Sequence, residues 1–321
     1  MSIRVGMIGA GGIGRYHLER LTADERVEVV AVCDVNHAAA EEAAGRIGAV
    51  SYASWRDLLA KEKLDALFIC VPPFAHEEIE EQAAAKEIHL FVEKPTGLDL
   101  ETVARKQAVI RQAGIMTSTG YCLRYLDTVQ QAKEYLADKK IAMVRGHYLT
   151  KFVETGWWRQ MAKSGGQLVE QATHTLDTMR YLAGDIGQVY AQMQLLVSRD
   201  LPGTDIPDVS SVALSFRSGA VGHLDACFIQ PDHRTGVEVL GKNFRVAIDG
   251  RHLTIVDEQG SRTIESGIDM YLEQDRAFIT AILTGDRSLI LSPYESASKT
   301  LEVTLAANQS ARLGTPVAVH H

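Results

Sequence analysis

Uninterrupted apolar runs alternate with alanine- and glutamate-rich segments over the first part of the chain. The β-branched runs at 3–8, 27–33, 66–71 and 88–92 read as strands. The segments at 14–21, 38–47, 76–86 and 100–113 have helical character, 116–119 adds a strand, and 128–137 reads as a helix. Strands that are apolar throughout and separated by helices imply a parallel sheet with both faces covered. After about residue 141 the texture changes. Runs at 141–151, 189–197, 210–217, 221–229, 237–246 and 253–256 alternate with turn residues, and Ser218–Gly219 and Asp249–Gly250 sit between pairs of them. This pattern predicts an antiparallel sheet built largely from hairpins. One helical segment, 167–182, interrupts it, and helices over 269–284 and 294–313 follow. The expected architecture is an α/β domain with a parallel sheet over 1–121. An α+β domain with a large, mostly antiparallel open sheet is expected over 122–321.

The first turn carries a candidate nucleotide site. In "IRVGMIGAGGIGRYH", Gly9, Gly11 and Gly14 form G-x-G-x-x-G after a strand and at the start of a helix, with Gly12 and Ile13 inside the turn. Gly9 permits the tight turn, Gly11 lets a pyrophosphate approach the backbone, and Gly14 allows close helix–strand packing. The helix N-terminus offers free N–H groups to phosphate. Asp34 ends the second strand 20 residues after Gly14, the spacing of a carboxylate that binds the adenosine ribose. An acid there repels a 2′-phosphate, and Val35 and Asn36 bring no arginine to neutralise one. NAD is therefore favoured over NADP, on a Rossmann domain. The plain alternative for Asp34 is a helix N-cap.

The run "LFVEKPTG", Leu90 to Gly97, ends abruptly in Glu93, Lys94 and Pro95. Alone, Lys94 reads as a solvated strand-end charge. Downstream of a dinucleotide fingerprint and of "CVPPFAHEE", Glu93-Lys94-Pro95 resembles the motif of the Gfo/Idh/MocA oxidoreductases. "SGGQLVEQATHTLD" resembles that family's G-G-x-x-x-D-x-x-x-H-x-x-D segment, and "GYCLRY" its G-[FY]-N-x-R segment. The resemblance implies that Lys94 meets the nicotinamide and the reacting oxygen, and that His174 is the catalytic histidine. It implies that Glu170 stands where the family has aspartate, one methylene longer. It further assigns Glu93, Val71, Pro72 and His76 to the cofactor, and Arg124, Trp158, Arg159 and Asp177 to the substrate. Cys122 replaces the family's asparagine and makes that wall more apolar. The implied substrate is a sugar, inositol or related polyol, and the implied assembly is a dimer or tetramer.

The residues suit alcohol oxidation. Histidine titrates near neutral pH and can take a hydroxyl proton, and a lysine ammonium favours negative charge on the reacting oxygen. On one predicted helix, Glu170 at i−4 or Asp177 at i+3 could orient His174. Two rival readings stay open: tightly held NAD cycling within one turnover, and a non-catalytic NAD-binding regulator.

A net charge of −8 over 321 residues argues against a nucleic-acid or anionic-membrane surface as the main partner. No apolar stretch is long enough to span a bilayer and no leader pattern is visible, so a cytoplasmic location is expected. Cys33, Cys70, Cys122 and Cys227 are scattered, which counts against a disulfide framework. Glu170 and His174 lack a further His or Cys at metal-ligand spacing, so no metal is expected. The terminal His320-His321 pair resembles a tag remnant.

Overall fold

The apolar runs of the N-terminal part assemble into a six-stranded parallel sheet. The computed structural model describes residues 2–320, so His321 lies outside the described residues. The first elements are β1 (Ile3–Ile8), α1 (Gly12–Thr22), β2 (Val27–Cys33), α2 (His37–Ile47), β3 (Val50–Tyr52), α3 (Trp55–Lys61), β4 (Ala66–Ile69), α4 (Ile79–Ala84), β5 (His89–Val92), α5 (Leu100–Ala113) and β6 (Thr117–Thr119). The strand order is β3-β2-β1-β4-β5-β6, with every neighbouring pair parallel. This is the doubly wound order, whose switch point between β1 and β4 is where such sheets take nucleotides. Every residue of β4 is buried, as a strand covered on both faces requires. Helix ends follow local chemistry: the Asp99 side chain accepts from the Thr102 N–H at the start of α5, and Gly114 ends it at φ +66°.

The later part builds a nine-stranded sheet. Its elements are α6 (Asp127–Leu136), β7 (Ile141–Leu149), α7 (Met161–Ser164), α8 (Gln167–Glu170), α9 (Thr173–Ala183), β8 (Ile186–Gln194), β9 (Val209–Phe216), β10 (Val221–Cys227), β11 (Arg234–Gly241), β12 (Phe244–Asp249), β13 (His252–Asp257), β14 (Gly260–Glu265), α10 (Met270–Thr284), α11 (Tyr294–Leu313) and β15 (Val317–Ala318). The order is β14-β13-β12-β11-β7-β10-β9-β8-β15, antiparallel throughout except for the parallel β7–β10 pair. Buried and exposed residues alternate along β9, so one face is packed and the other is open. The expected hairpins form at Ser218–Gly219 and Asp249–Gly250.

Two expectations need correction. Packing does not run as one uninterrupted second domain over 122–321. Asp269–Ser298 belongs with the residues up to Cys122, while Leu123–Ile268 and the chain from Lys299 onward form the other unit. Phe278 and Ile279 of α10 are buried in the first unit's core with Met7, Phe68 and Phe91, which explains the return. Nor is 167–182 one helix. Both Gln171 and Ala172 N–H groups donate to the Gln167 carbonyl, which closes α8 before α9 starts at Thr173.

Candidate active site

The glycine turn has the shape a dinucleotide needs. Gly9 sits at φ +99°, and a Cβ there would lie 2.4 Å from the Cys70 carbonyl oxygen and 3.2 Å from Val71 Cγ1. A Cβ on Gly14 would lie 2.0 Å from the Gly9 carbonyl oxygen. Only glycine fits either place. Gly11 and Gly12 are exposed, and a Cβ on either meets nothing within 4 Å. The turn is thus closed on its protein side and open where a pyrophosphate would approach the first turn of α1. Ile13 packs against the core beneath it.

Asp34 is not the cap of α2. Its Oδ2 accepts from the Ala10 N–H at 2.8 Å and its Oδ1 from the Asn36 N–H at 2.8 Å. The carboxylate thereby ties the end of β2 to the glycine turn, and each oxygen keeps a lone pair for a further donor such as a ribose hydroxyl.

At the end of β5 the Glu93-Lys94 pair divides. Lys94 is half-buried, whereas the Glu93 carboxylate turns into the protein. Its Oε2 accepts from the Lys94 N–H at 3.1 Å and its Oε1 meets His17 Nε2 at 3.1 Å. The other ring nitrogen, His17 Nδ1, lies 2.9 Å from both oxygens of Asp275. Burial works against the imidazolium, but Asp275 and then Glu93 outweigh it and push the His17 pKa up to about 10. Burial of Cys122, with Glu93 nearby, pushes its thiol up to about 12. Glu93 is therefore held by protein groups rather than aimed at a ligand. His17 and Asp275 complete this arrangement. Asp275 was legible in principle, because an acid on the apolar stripe of α10 needs a buried partner.

His76 follows the Val71-Pro72 loop and is also fixed from behind. Its Nδ1 lies 2.7 Å from Glu80 Oε1, and Lys106 Nζ lies 2.6 Å from Glu80 Oε2, all three side chains being buried. Burial disfavours the Glu80 carboxylate, yet His76 and Lys106 overcome this and hold its pKa below the usual range. His76 Nε2 is buried with no hydrogen-bond partner, an atom a ligand could satisfy.

In the second unit, Trp158, Arg159 and Glu170 line one narrow recess, together with Gln167 and the apolar Phe152 and Phe228. Arg159 donates to the carbonyls of Glu154 and Pro202, and its guanidinium lies over the Phe152 ring. Trp158 Nε1, Arg159 Nε and both amide atoms of Gln167 are buried without partners. Gln167 escaped the sequence reading, although it lies one helical turn before Glu170. His174 is half-buried in the first turn of α9, and the break after α8 removes the expected single-helix spacing from Glu170. Asp177 is committed elsewhere. It forms a buried two-point ion pair with Arg124, so its carboxylate is held by that guanidinium and both side chains lie inside the second unit.

Among the described residues no group of three or more His, Cys, Asp or Glu side chains is arranged to hold a metal ion. All four cysteines are free and buried. No helix among the described residues is long and apolar enough to cross a membrane.

Comparison with known proteins agrees with this geometry. Residues 3–121 match the Gfo/Idh/MocA "Oxidoreductase family, NAD-binding Rossmann fold", and residues 129–247 match the family's C-terminal domain. Myo-inositol 2-dehydrogenase of Thermotoga maritima is 28% identical over 302 residues, covering 88% of this chain and 89% of that enzyme. The scyllo-inositol 2-dehydrogenase (NAD(+)) of Bacillus subtilis is 25% identical over 336 residues, covering 98% and 96%. GenD2 from gentamicin A biosynthesis, solved in complex with NAD, has a TM-score of 0.87 at 26% identity over 100% of this chain and 97% of that one. With a NAD-binding Rossmann domain, the Glu93-Lys94-Pro95 turn and the second sheet in place, this chain belongs to the Gfo/Idh/MocA family of oxidoreductases.

Proposed function

We propose that the protein is a dehydrogenase that oxidises a secondary alcohol of a sugar, inositol or related polyol and prefers NAD to NADP. What carries the substrate class is the likeness of most of this chain to the inositol dehydrogenases of Thermotoga maritima and Bacillus subtilis. Buried donors and acceptors of Trp158, Arg159 and Gln167 lack partners in the recess of the second unit, beside the Glu170 carboxylate and two aromatic rings. The recess itself encloses only about 10 Å³, room for one water or a single hydroxyl of a ligand seated at its mouth.

NAD, when bound, supplies the hydride acceptor. The chain's own residues then have separable tasks. The glycine turn and the N-terminus of α1 receive the pyrophosphate, and Asp34 receives the ribose hydroxyls and repels a 2′-phosphate. Lys94 donates to the reacting oxygen and favours its developing negative charge. His174 takes the hydroxyl proton. Glu170 accepts from a substrate hydroxyl at the mouth of the recess. The exposed face of the nine-stranded sheet, with Met143, Tyr190 and Val221, is consistent with a homo-oligomer, which light scattering would read directly.

The test is a panel of inositols, hexoses, pentoses and sugar acids, each with NAD and separately with NADP, following the absorbance of the reduced nicotinamide. Reduction of NAD by one class is the expected result. Silence across the panel, with NAD still bound to the purified protein, would replace this reading with one in which the cofactor cycles within a single turnover.

A further inference from the structure

We infer that His17 is a positioning residue for Lys94, acting through the Glu93 carboxylate on the peptide that carries the lysine. The inference rests on the reading in which Lys94 meets the reacting oxygen.

The connection is continuous, and its three side chains are buried. His17 projects from α1 into the first unit's core, with no exposed surface, and its ring lies 4.7 Å from that of Phe91 and 5.6 Å from that of Phe68. Both ring nitrogens are used: Nδ1 on Asp275 at 2.9 Å, Nε2 on Glu93 at 3.1 Å. The other Glu93 oxygen accepts from the Lys94 N–H at 3.1 Å. A line of hydrogen bonds therefore runs from α10 through α1 to the backbone of the lysine.

Each end of the line is fixed. Asp275 is delivered by α10, whose N-terminal cap Asp269 is gripped by Arg20 of α1 at 2.6 Å. The Glu93 carboxylate lies flat on Gly120, where a Cβ would come within 2.4 Å of Oε1 and 2.6 Å of Oε2. It has no room to swing.

Three ionisable groups buried together are a costly way to fill space. Apolar side chains of similar volume commonly do so at equal or better stability. What the charged arrangement adds is direction. A carboxylate held on both oxygens sets the orientation of the peptide that follows it, and displacement of a reacting group by about 1 Å can cost about a hundredfold in rate.

The experiment compares His17→Gln and Glu93→Gln with the wild type, by hydrogen exchange of the peptide covering 93–97 and by steady-state kinetics. A peptide from α2 serves as the internal reference. Exchange at 93–97 is expected to rise about tenfold while α2 is unchanged, because the loss is local. The kcat is expected to fall roughly tenfold to a hundredfold with NAD affinity nearly constant, and neither substitution should lower kcat further in a Lys94→Ala background. Unchanged exchange at 93–97 in a folded variant overturns the inference, as does an unchanged kcat or a full further loss in the Lys94→Ala background. If His17→Gln does not fold, Glu93→Gln carries the same comparison. If the wild type turns over no substrate, the dehydrogenase reading fails by itself, and the exchange data still decide the role of His17.

Discussion

Arg124 and Asp177 meet edge to edge: Nε lies 2.7 Å from Oδ2, Nη2 lies 2.6 Å from Oδ1, and both side chains are buried. Asp177 Oδ1 also accepts from the Thr300 hydroxyl at 2.7 Å, and Arg180 donates to that same hydroxyl at 2.6 Å. A planar guanidinium suits this two-point geometry as lysine does not. Removal of one partner leaves a buried charge without compensation. Arg124→Met or Asp177→Asn should therefore cost about 3–5 kcal/mol of unfolding free energy. Urea unfolding of each variant checks this, and a loss below about 1 kcal/mol would match an exposed pair instead.

The Lys106–Glu80 pair behind His76 gives a second stability test. Lys106 Nζ lies 2.6 Å from Glu80 Oε2 with both side chains buried. Lys106→Met should destabilise by about 3–5 kcal/mol, and Glu80→Gln in the same chain should recover part of that loss by removing a charge that only His76 would still offset. Purely additive losses would contradict a direct coupling.

Stability should depend on pH through His17. Its pKa is raised from 6.5 to about 10 in the folded protein, by Asp275 and Glu93 against the effect of burial. A raised histidine stabilises fully below its unfolded pKa, and that contribution is lost as pH rises through the folded value. The wild-type melting temperature should therefore decline between pH 7 and pH 10 more steeply than that of His17→Gln. Parallel profiles would mean that His17 is not held as the imidazolium.

Asp34 should govern cofactor choice. Its carboxylate already accepts from the Ala10 and Asn36 N–H groups, so Asp34→Asn keeps the size while removing the charge and one of those two acceptors. NAD binding should weaken by about tenfold and discrimination against NADP should shrink, as expected when repulsion of a 2′-phosphate is lost. Titration of both cofactors by tryptophan fluorescence reads the ratio; an unchanged ratio would remove Asp34 from that role.

The strands were legible because each buried run carries its own apolar signature, as with Ile3–Ile8 and Val27–Cys33. Val50–Tyr52 and Trp55–Lys61 were not, since the first is three residues long and neither shows a period. The break between Glu170 and His174 was invisible, because Gln171-Ala172 contains neither glycine nor proline. Local pattern also gives no hint that α10 returns to the first unit, where Asp275 finds a partner 258 residues away in His17. Lys94 stood out for the opposite reason: a charge that ends an apolar strand is a local anomaly.

The most direct measurement is NAD reduction by the best substrate of the polyol panel, in wild type and in Lys94→Ala, with NAD affinity measured alongside. Turnover in wild type, a loss of about a hundredfold or more in Lys94→Ala and nearly unchanged NAD binding is the expected outcome, as for a group that acts chiefly in the transition state. Turnover near the wild-type rate in Lys94→Ala would contradict it.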